Sequence, residues 1–207
     1  MTPTFSQTLN GVPFVYVDNF FSEFETAAML KELGTLRAGL LAGHDTGGAV
    51  NRNGALLKKT LALFLCDYYK TAPTSSIYAA TRKYFSEDVL VKLRGKAWFF
   101  RYIAPCYNIA DMTQVLYYEN NATYGSHIDT ANITALCWLH KTPKAFVGGD
   151  LVLEENTKVE MRHNRVLFFP SITRHEVTPV EMLEEKDGYG RYCVSTFIHT
   201  DTSGVDR

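Results

Sequence analysis

Hydrophobic and polar positions divide this chain into two regimes. In the first, apolar residues recur at helical spacing. The stretch "PFVYVDNFFSEFETAAMLKELG" (13–34) predicts a short strand turning into a helix, with Ser22 and Glu25 fitting an S-x-x-E capping box and Gly34 suiting the exit. Leu57, Leu61, Phe64, Leu65 and Tyr68 repeat at helical intervals and predict a second helix over 55–70; a third covers 76–85. Between the first two lies "AGHDTGGAVNRNG" (42–54), whose Gly and Asn content predicts an irregular loop, either a plain connection or a lid over a site.

From about Trp98 the pattern shortens to strand length. Expected strands cover 97–104, 113–119, 124–128, 132–140, 149–154, 157–161, 165–169, 174–178 and 190–199, with Trp98, Phe100 and Tyr102 alternating along one face of the first. Many short strands at near-regular spacing predict a sandwich or barrel with helices packed outside it. The expected organisation is one domain over 1–207, in which 1–96 supply helical support and a lid and 97–200 form the barrel.

Composition narrows the partners. The chain has 207 residues, 46% of them hydrophobic and 21% charged, and a net charge of −1. The basic residues are scattered, so no positive stripe of the kind that binds nucleic acid is expected. Cys66, Cys106, Cys137 and Cys193 form no C-x-x-C pair, no apolar run approaches membrane-helix length, and no signal peptide is evident. Free thiols in a cytoplasmic protein, with no membrane partner, are the expectation.

Candidate chemistry gathers in the second regime. His127 and Asp129 stand two apart in "YGSHIDT", a spacing that aims two strand side chains at one face. Alone they fit an Asx-type turn beside a histidine better than a metal site. His175, in "RVLFFPSITRHEV", supplies a third ligand type, and two histidines with one carboxylate form the facial set that non-haem Fe(II) oxygenases use with positions left open. Farther on, Arg191, Cys193, Ser195 and Phe197 share one strand face. An arginine pointing into a barrel needs an anionic partner, and its fork matches a carboxylate, with Ser195 offering a hydroxyl.

With these residues the chain resembles the Fe(II)/2-oxoglutarate-dependent oxygenases, and among them the prolyl 4-hydroxylase-like group, over roughly Trp98 to Thr200. The resemblance rests on "VLYYENNATYGSHID", "FVGGDLVL", "NRVLFFPS" and "RHEV". It implies a mainly β fold with N-terminal helices, a double-stranded β-helix or jelly-roll, cupin-like barrel. It implies that His127, Asp129 and His175 hold Fe(II) and that Arg191 pairs with the distal carboxylate of 2-oxoglutarate. Ser195 stands near that carboxylate, Tyr118 and Tyr124 match aromatic positions lining the co-substrate pocket, and Trp138 takes the place of a tyrosine that contacts it. The implied reaction uses O2 and hydroxylates an aliphatic C–H, releasing succinate and CO2. A prolyl or other residue in a peptide or protein is the implied substrate, with a free amino acid or small metabolite as the alternative. Relatives that act on nucleic acids carry a second arginine six residues past the first, where this chain has Phe197. The rivals are a non-catalytic jelly-roll binding module and a cupin-like iron enzyme that makes no use of Arg191.

Overall fold

The N-terminal segment forms a hairpin of β1 (Thr4–Gln7) and β2 (Pro13–Val17) and turns into helix α1 (Glu23–Leu36). This computed structural model describes residues 1–43, 45–46, 48–69, 75–102 and 112–199. The expected capping box is formed: the Glu25 N–H donates to Ser22 Oγ at 3.3 Å, and the Ser22 N–H donates to the Glu25 carboxylate at 2.8 Å. The helix does not leave at Gly34. It runs on to Leu36, because Leu33 and Leu36 are both fully buried and hold the last turn against the core.

The second expected helix is a correction. Residues 55–70 form β4 (Lys58–Lys59), β5 (Leu61–Phe64) and one helical turn, α2 (Leu65–Tyr68), while β3 (Leu41–Ala42) pairs with β5. Leu63 faces one hydrophobic cluster and Ala62 the other, so the apolar run is a strand covered on both sides. Such a run carries no period of two to distinguish it from a helix. The third helix is present as α3 (Ser76–Thr81) with a 3-10 extension to Phe85, and α4 (Glu87–Arg94) follows it, unforeseen. The strand expected at 97–104 is a 3-10 helix over Trp98–Tyr102. There Phe99 and Phe100 are buried while Trp98 is exposed, so the alternation of aromatics does not make a strand face. His44, Cys106 and the side chain of Tyr102 lie outside the described residues.

The barrel strands follow as β6 (Met112–Tyr118), β7 (Thr123–His127), β8 (Ile133–Leu139), β9 (Phe146–Gly148), β10 (Leu151–Leu153), β11 (Thr157–Val159), β12 (Arg165–Pro170), β13 (His175–Val177), β14 (Val180–Met182) and β15 (Arg191–Ile198). Eight strands form the larger sheet in the order β1-β2-β12-β8-β15-β6-β5-β3, and five form the smaller as β11-β10-β13-β7-β4. The larger sheet is apolar on both faces. Leu116, Leu136, Leu167 and Cys193 point toward the smaller sheet, while Val115, Cys137, Val166 and Val194 pack under α1, α3 and α4. This is the double-stranded β-helix, with its helices on the outer face of the larger sheet.

Candidate metal centre

Pairing of β7 with β13 sets the site. Its antiparallel register puts His127 opposite His175, and an irregularity between that pair and Tyr124–Val177 brings Tyr124 round beside His127. The Tyr124 and His127 rings stack with centroids 3.8 Å apart, and the two imidazole centroids are 4.2 Å apart. Asp129 lies just past the end of β7. Its backbone N–H donates to Ser171 O at 2.9 Å, which ties the turn after β7 to the turn after β12. One ligand atom from each of His127, Asp129 and His175 falls within 4.8 Å of the others. Nε2 of His127 is 3.6 Å from Asp129 Oδ1, and Nε2 of His175 is 3.5 Å from Oδ2.

Hydrogen bonds aim these donors. A carbonyl oxygen only accepts, so His127 Nδ1 donates to Gly125 O at 2.8 Å and His175 Nδ1 to Thr173 O at 2.9 Å. Both rings therefore present the Nε2 lone pair to the shared centre. Burial, helped for His127 by its neighbour His175, pushes each imidazole down to about 4, so both are neutral ligands at pH 7. Burial raises Asp129 against the pull of Thr134, whose hydroxyl donates to Oδ2 at 2.6 Å. Thr134 also meets Ser171 Oγ at 2.8 Å. A cation at this centre reverses the burial effect on the carboxylate.

A narrow cavity runs from the triad into the barrel, lined by Tyr118, Tyr124, Arg191, Cys193 and Ser195 among others. Arg191 is fully buried, and none of its three guanidinium nitrogens has a hydrogen-bond partner. The guanidinium lies 4.5 Å from the Tyr118 ring centroid and 5.6 Å from that of Trp138. The Tyr118 hydroxyl and the Cys193 thiol feel its charge without meeting it at bonding geometry. A buried, unpaired cation costs several kcal/mol. Its three unpartnered donors match a carboxylate, so the donor set and the arginine together fit Fe(II) and a dicarboxylic acid such as 2-oxoglutarate. Trp138 Nε1 is also buried without a partner, while Ser195 Oγ sits 3.6 Å from Cys193 Sγ on the cavity wall.

Of the candidate site residues, His127, Asp129, His175, Tyr118, Tyr124, Arg191 and Ser195 line this one cavity, and Trp138 lies beside the Arg191 guanidinium. Three others were missed. Thr134 orients Asp129, and its only sequence signal is a hydroxyl inside the apolar strand "ITALCWL". Gly149, at φ +70°, makes room for Arg191: a Cβ there would meet Arg191 Cδ at 2.6 Å. Lys58 is an ammonium inside the apolar run "ALLKKTLALF" and is nearly inaccessible at 2% exposure.

Fold and site together have the form of an iron-dependent, 2-oxo-acid-using centre. Residues 113–199 match the family model of the 2OG-Fe(II) oxygenase superfamily, whose members use Fe(II), 2-oxoglutarate and O2. Among solved structures, a Pseudomonas putida prolyl-4-hydroxylase aligns at 15% identity and TM-score 0.58, over 93% of this chain and 96% of that one. The viral collagen prolyl hydroxylase of Paramecium Bursaria Chlorella virus-1, in complex with 2OG, aligns at 16% identity and TM-score 0.53, over 88% and 94%. OsALKBH1 aligns at 13% identity and TM-score 0.56, over 89% and 97%. At such identities the likeness is one of fold. No curated protein matches the chain. Among the described residues no helix is long and apolar enough to cross a membrane.

Proposed function

We propose that this chain hydroxylates an aliphatic C–H bond of a prolyl or other amino-acid residue in a peptide or protein, as a 2-oxoglutarate-dependent dioxygenase of the prolyl 4-hydroxylase-like kind. His127, Asp129 and His175 are the residues assigned to iron. Arg191 and Ser195 receive the distal carboxylate of 2-oxoglutarate, with Tyr118, Tyr124 and Trp138 forming the walls around it. The observation that carries this reading is the buried guanidinium with three unpartnered nitrogens, in the same cavity as two neutral imidazoles and a carboxylate. A non-catalytic module has no reason to retain an unpaired buried charge, and an iron enzyme without a 2-oxo acid gives Arg191 no task.

Bound iron with 2-oxoglutarate supplies the O2-dependent oxidation, with succinate and CO2 as co-products. The chain's part is placement. The Nδ1 bonds of both histidines hold their lone pairs on the centre, Thr134 keeps one Asp129 oxygen occupied, and Arg191 fixes the far end of the dicarboxylate. The apolar wall from Leu116, Leu136, Leu151 and Val177 excludes water. Among the described residues, the buried thiols of Cys137 and Cys193 are unbridged, which supports a cytoplasmic setting. A free amino acid or small metabolite is the second reading, favoured by Lys58 as argued below.

The test has two stages. Anaerobic protein mixed with Fe(II) and 2-oxoglutarate should develop a visible charge-transfer band, absent in His127→Ala and weakened in Arg191→Ala. Peptides and free amino acids are then screened for succinate release together with gain of one oxygen atom. A wild-type protein with neither band nor iron uptake would return the chain to the binding-module reading.

A further inference from the structure

A second buried cation sits beside the first site. Lys58 pairs with Tyr124 across β4 and β7, which puts its side chain on the same inner face as the tyrosine stacked on His127. Its neighbour Lys59 points out and is exposed. Lys58 is near enough for its charge to be felt at His127. Gly43, Thr46 and Gly48 lie against it: Cβ atoms built on Gly43 and Gly48 would lie 3.3 and 3.4 Å from Lys58 Cε. Next to Gly48, the Ala49 N–H donates to the Tyr124 hydroxyl at 3.1 Å.

The ammonium is poorly satisfied. It donates to Thr46 Oγ1 at 2.9 Å, and among the described residues no carboxylate is paired with it. One hydroxyl serves one of its three donors. Burial lowers its pKa to about 8, so it remains mostly charged at neutral pH. A tether for Thr46 would be met by a neutral amide at smaller cost, since desolvating an ammonium is expensive when nothing anionic repays it. A cleft of about 340 Å³ is bordered by Lys58 together with Gly43, Leu56, Glu119 and Asn121, and shares no lining residue with the cavity at the triad.

We infer that Lys58 receives a carboxylate of the molecule that is oxidised, so that the substrate is an acid: a free amino acid, or a peptide presenting an acidic side chain, rather than a segment of neutral residues. This rests on the oxygenase reading, in which Arg191 is already occupied by the co-substrate and leaves Lys58 as the unfilled cation on the Tyr124 face.

The experiment uses the protein loaded with Zn(II) and saturating 2-oxoglutarate, with lysine isotopically labelled at Cε and read by NMR; Lys58→Arg assigns the resonance. Short alkyl carboxylates from acetate to hexanoate are titrated against their primary amides. The expected result is a saturable shift of the Lys58 signal, with carboxylates acting at about tenfold lower concentration than amides, as a charge-assisted hydrogen bond implies. In Lys58→Gln, calorimetric binding should lose that preference, and in Lys58→Arg retain it. A Lys58 signal unmoved by every carboxylate, or moved equally by amides, overturns the inference even if Lys58→Gln fails to fold. Two arms of succinate release, free L-amino acids against end-blocked tripeptides containing Asp or Glu, distinguish the source of the acid. The Fe(II)–2-oxoglutarate band separates the two failures. A band with an unresponsive Lys58 removes only this inference, whereas no band in the wild type removes both.

Discussion

At the scale of single residues, the site is held by contacts that do not themselves touch the metal position. The Thr134 hydroxyl fixes one Asp129 oxygen, and supporting bonds of this kind are worth roughly 10–100-fold in metal affinity. Thr134→Val should therefore weaken Mn(II) or Fe(II) binding by about that factor while the fold persists, with Thr134→Ser restoring most of it; calorimetric titration checks both. Gly149→Ala makes a separable prediction. A methyl group 2.6 Å from Arg191 Cδ, on a backbone at φ +70°, should displace the guanidinium. Affinity for 2-oxoglutarate is expected to fall by about tenfold or more, while the metal titration stays at the wild-type value. The triad was legible because its residue types and spacing carry the chemistry on their face, and Arg191 because a charge in an apolar strand demands a partner. Thr134, Gly149 and Lys58 were not, since their meaning depends on which residue lies across the sheet.

At the scale of elements, local signals were readable where one residue type does one job. The Ser22–Glu25 box placed the start of α1, and its worth is testable: Ser22→Ala should cost ~1 kcal/mol of unfolding free energy by denaturant titration. The iron–co-substrate band should be unchanged, because the helix lies on the far side of the larger sheet from the triad. Periodicity failed where burial is two-sided. β5 has apolar residues on consecutive positions because both its faces are covered, and the chance spacing of Leu57, Leu61, Phe64, Leu65 and Tyr68 then imitated a helix. The 3-10 helix at Trp98–Tyr102 misled in the opposite sense, since an alternating aromatic run looks like a strand until packing decides. The hairpin strand β1 and the three-residue strands β9 and β14 carried too little pattern to register. In the acidic stretch before β15, Asp187 pairs with Arg37, and the Arg191 guanidinium has no hydrogen-bond partner there.

For the molecule as a whole, we propose that the chain folds as one domain; the expected division into support over 1–96 and barrel over 97–200 does not hold, because β1, β2, β3 and β5 belong to the larger sheet and β4 to the smaller. The N-terminal hairpin joins the larger sheet through β2, which pairs with β12, and the helices share a hydrophobic cluster with β6, β8 and β15. Binding energy at the site should then stabilise the entire chain. Mn(II) and 2-oxoglutarate together, each at about 100 times its dissociation constant, should each add roughly 2.7 kcal/mol to unfolding free energy. A single calorimetric transition should move upward as a unit. In Arg191→Ala, the part due to 2-oxoglutarate should vanish and the part due to metal remain.

The strand order also has a consequence for how the protein is made. β15, last of the strands among the described residues, lies between β8 and β6 near the middle of the larger sheet. As the chain emerges from the ribosome, the strands already synthesised can form two half-sheets, β1-β2-β12-β8 on one side and β6-β5-β3 on the other, with a gap between them. Until residues 191–198 arrive, each half presents an open edge, the kind of surface chaperones guard. The segment that closes the gap also carries Arg191, so the proposed co-substrate anchor and the barrel are completed in the same step, and a nascent chain lacking that segment has neither.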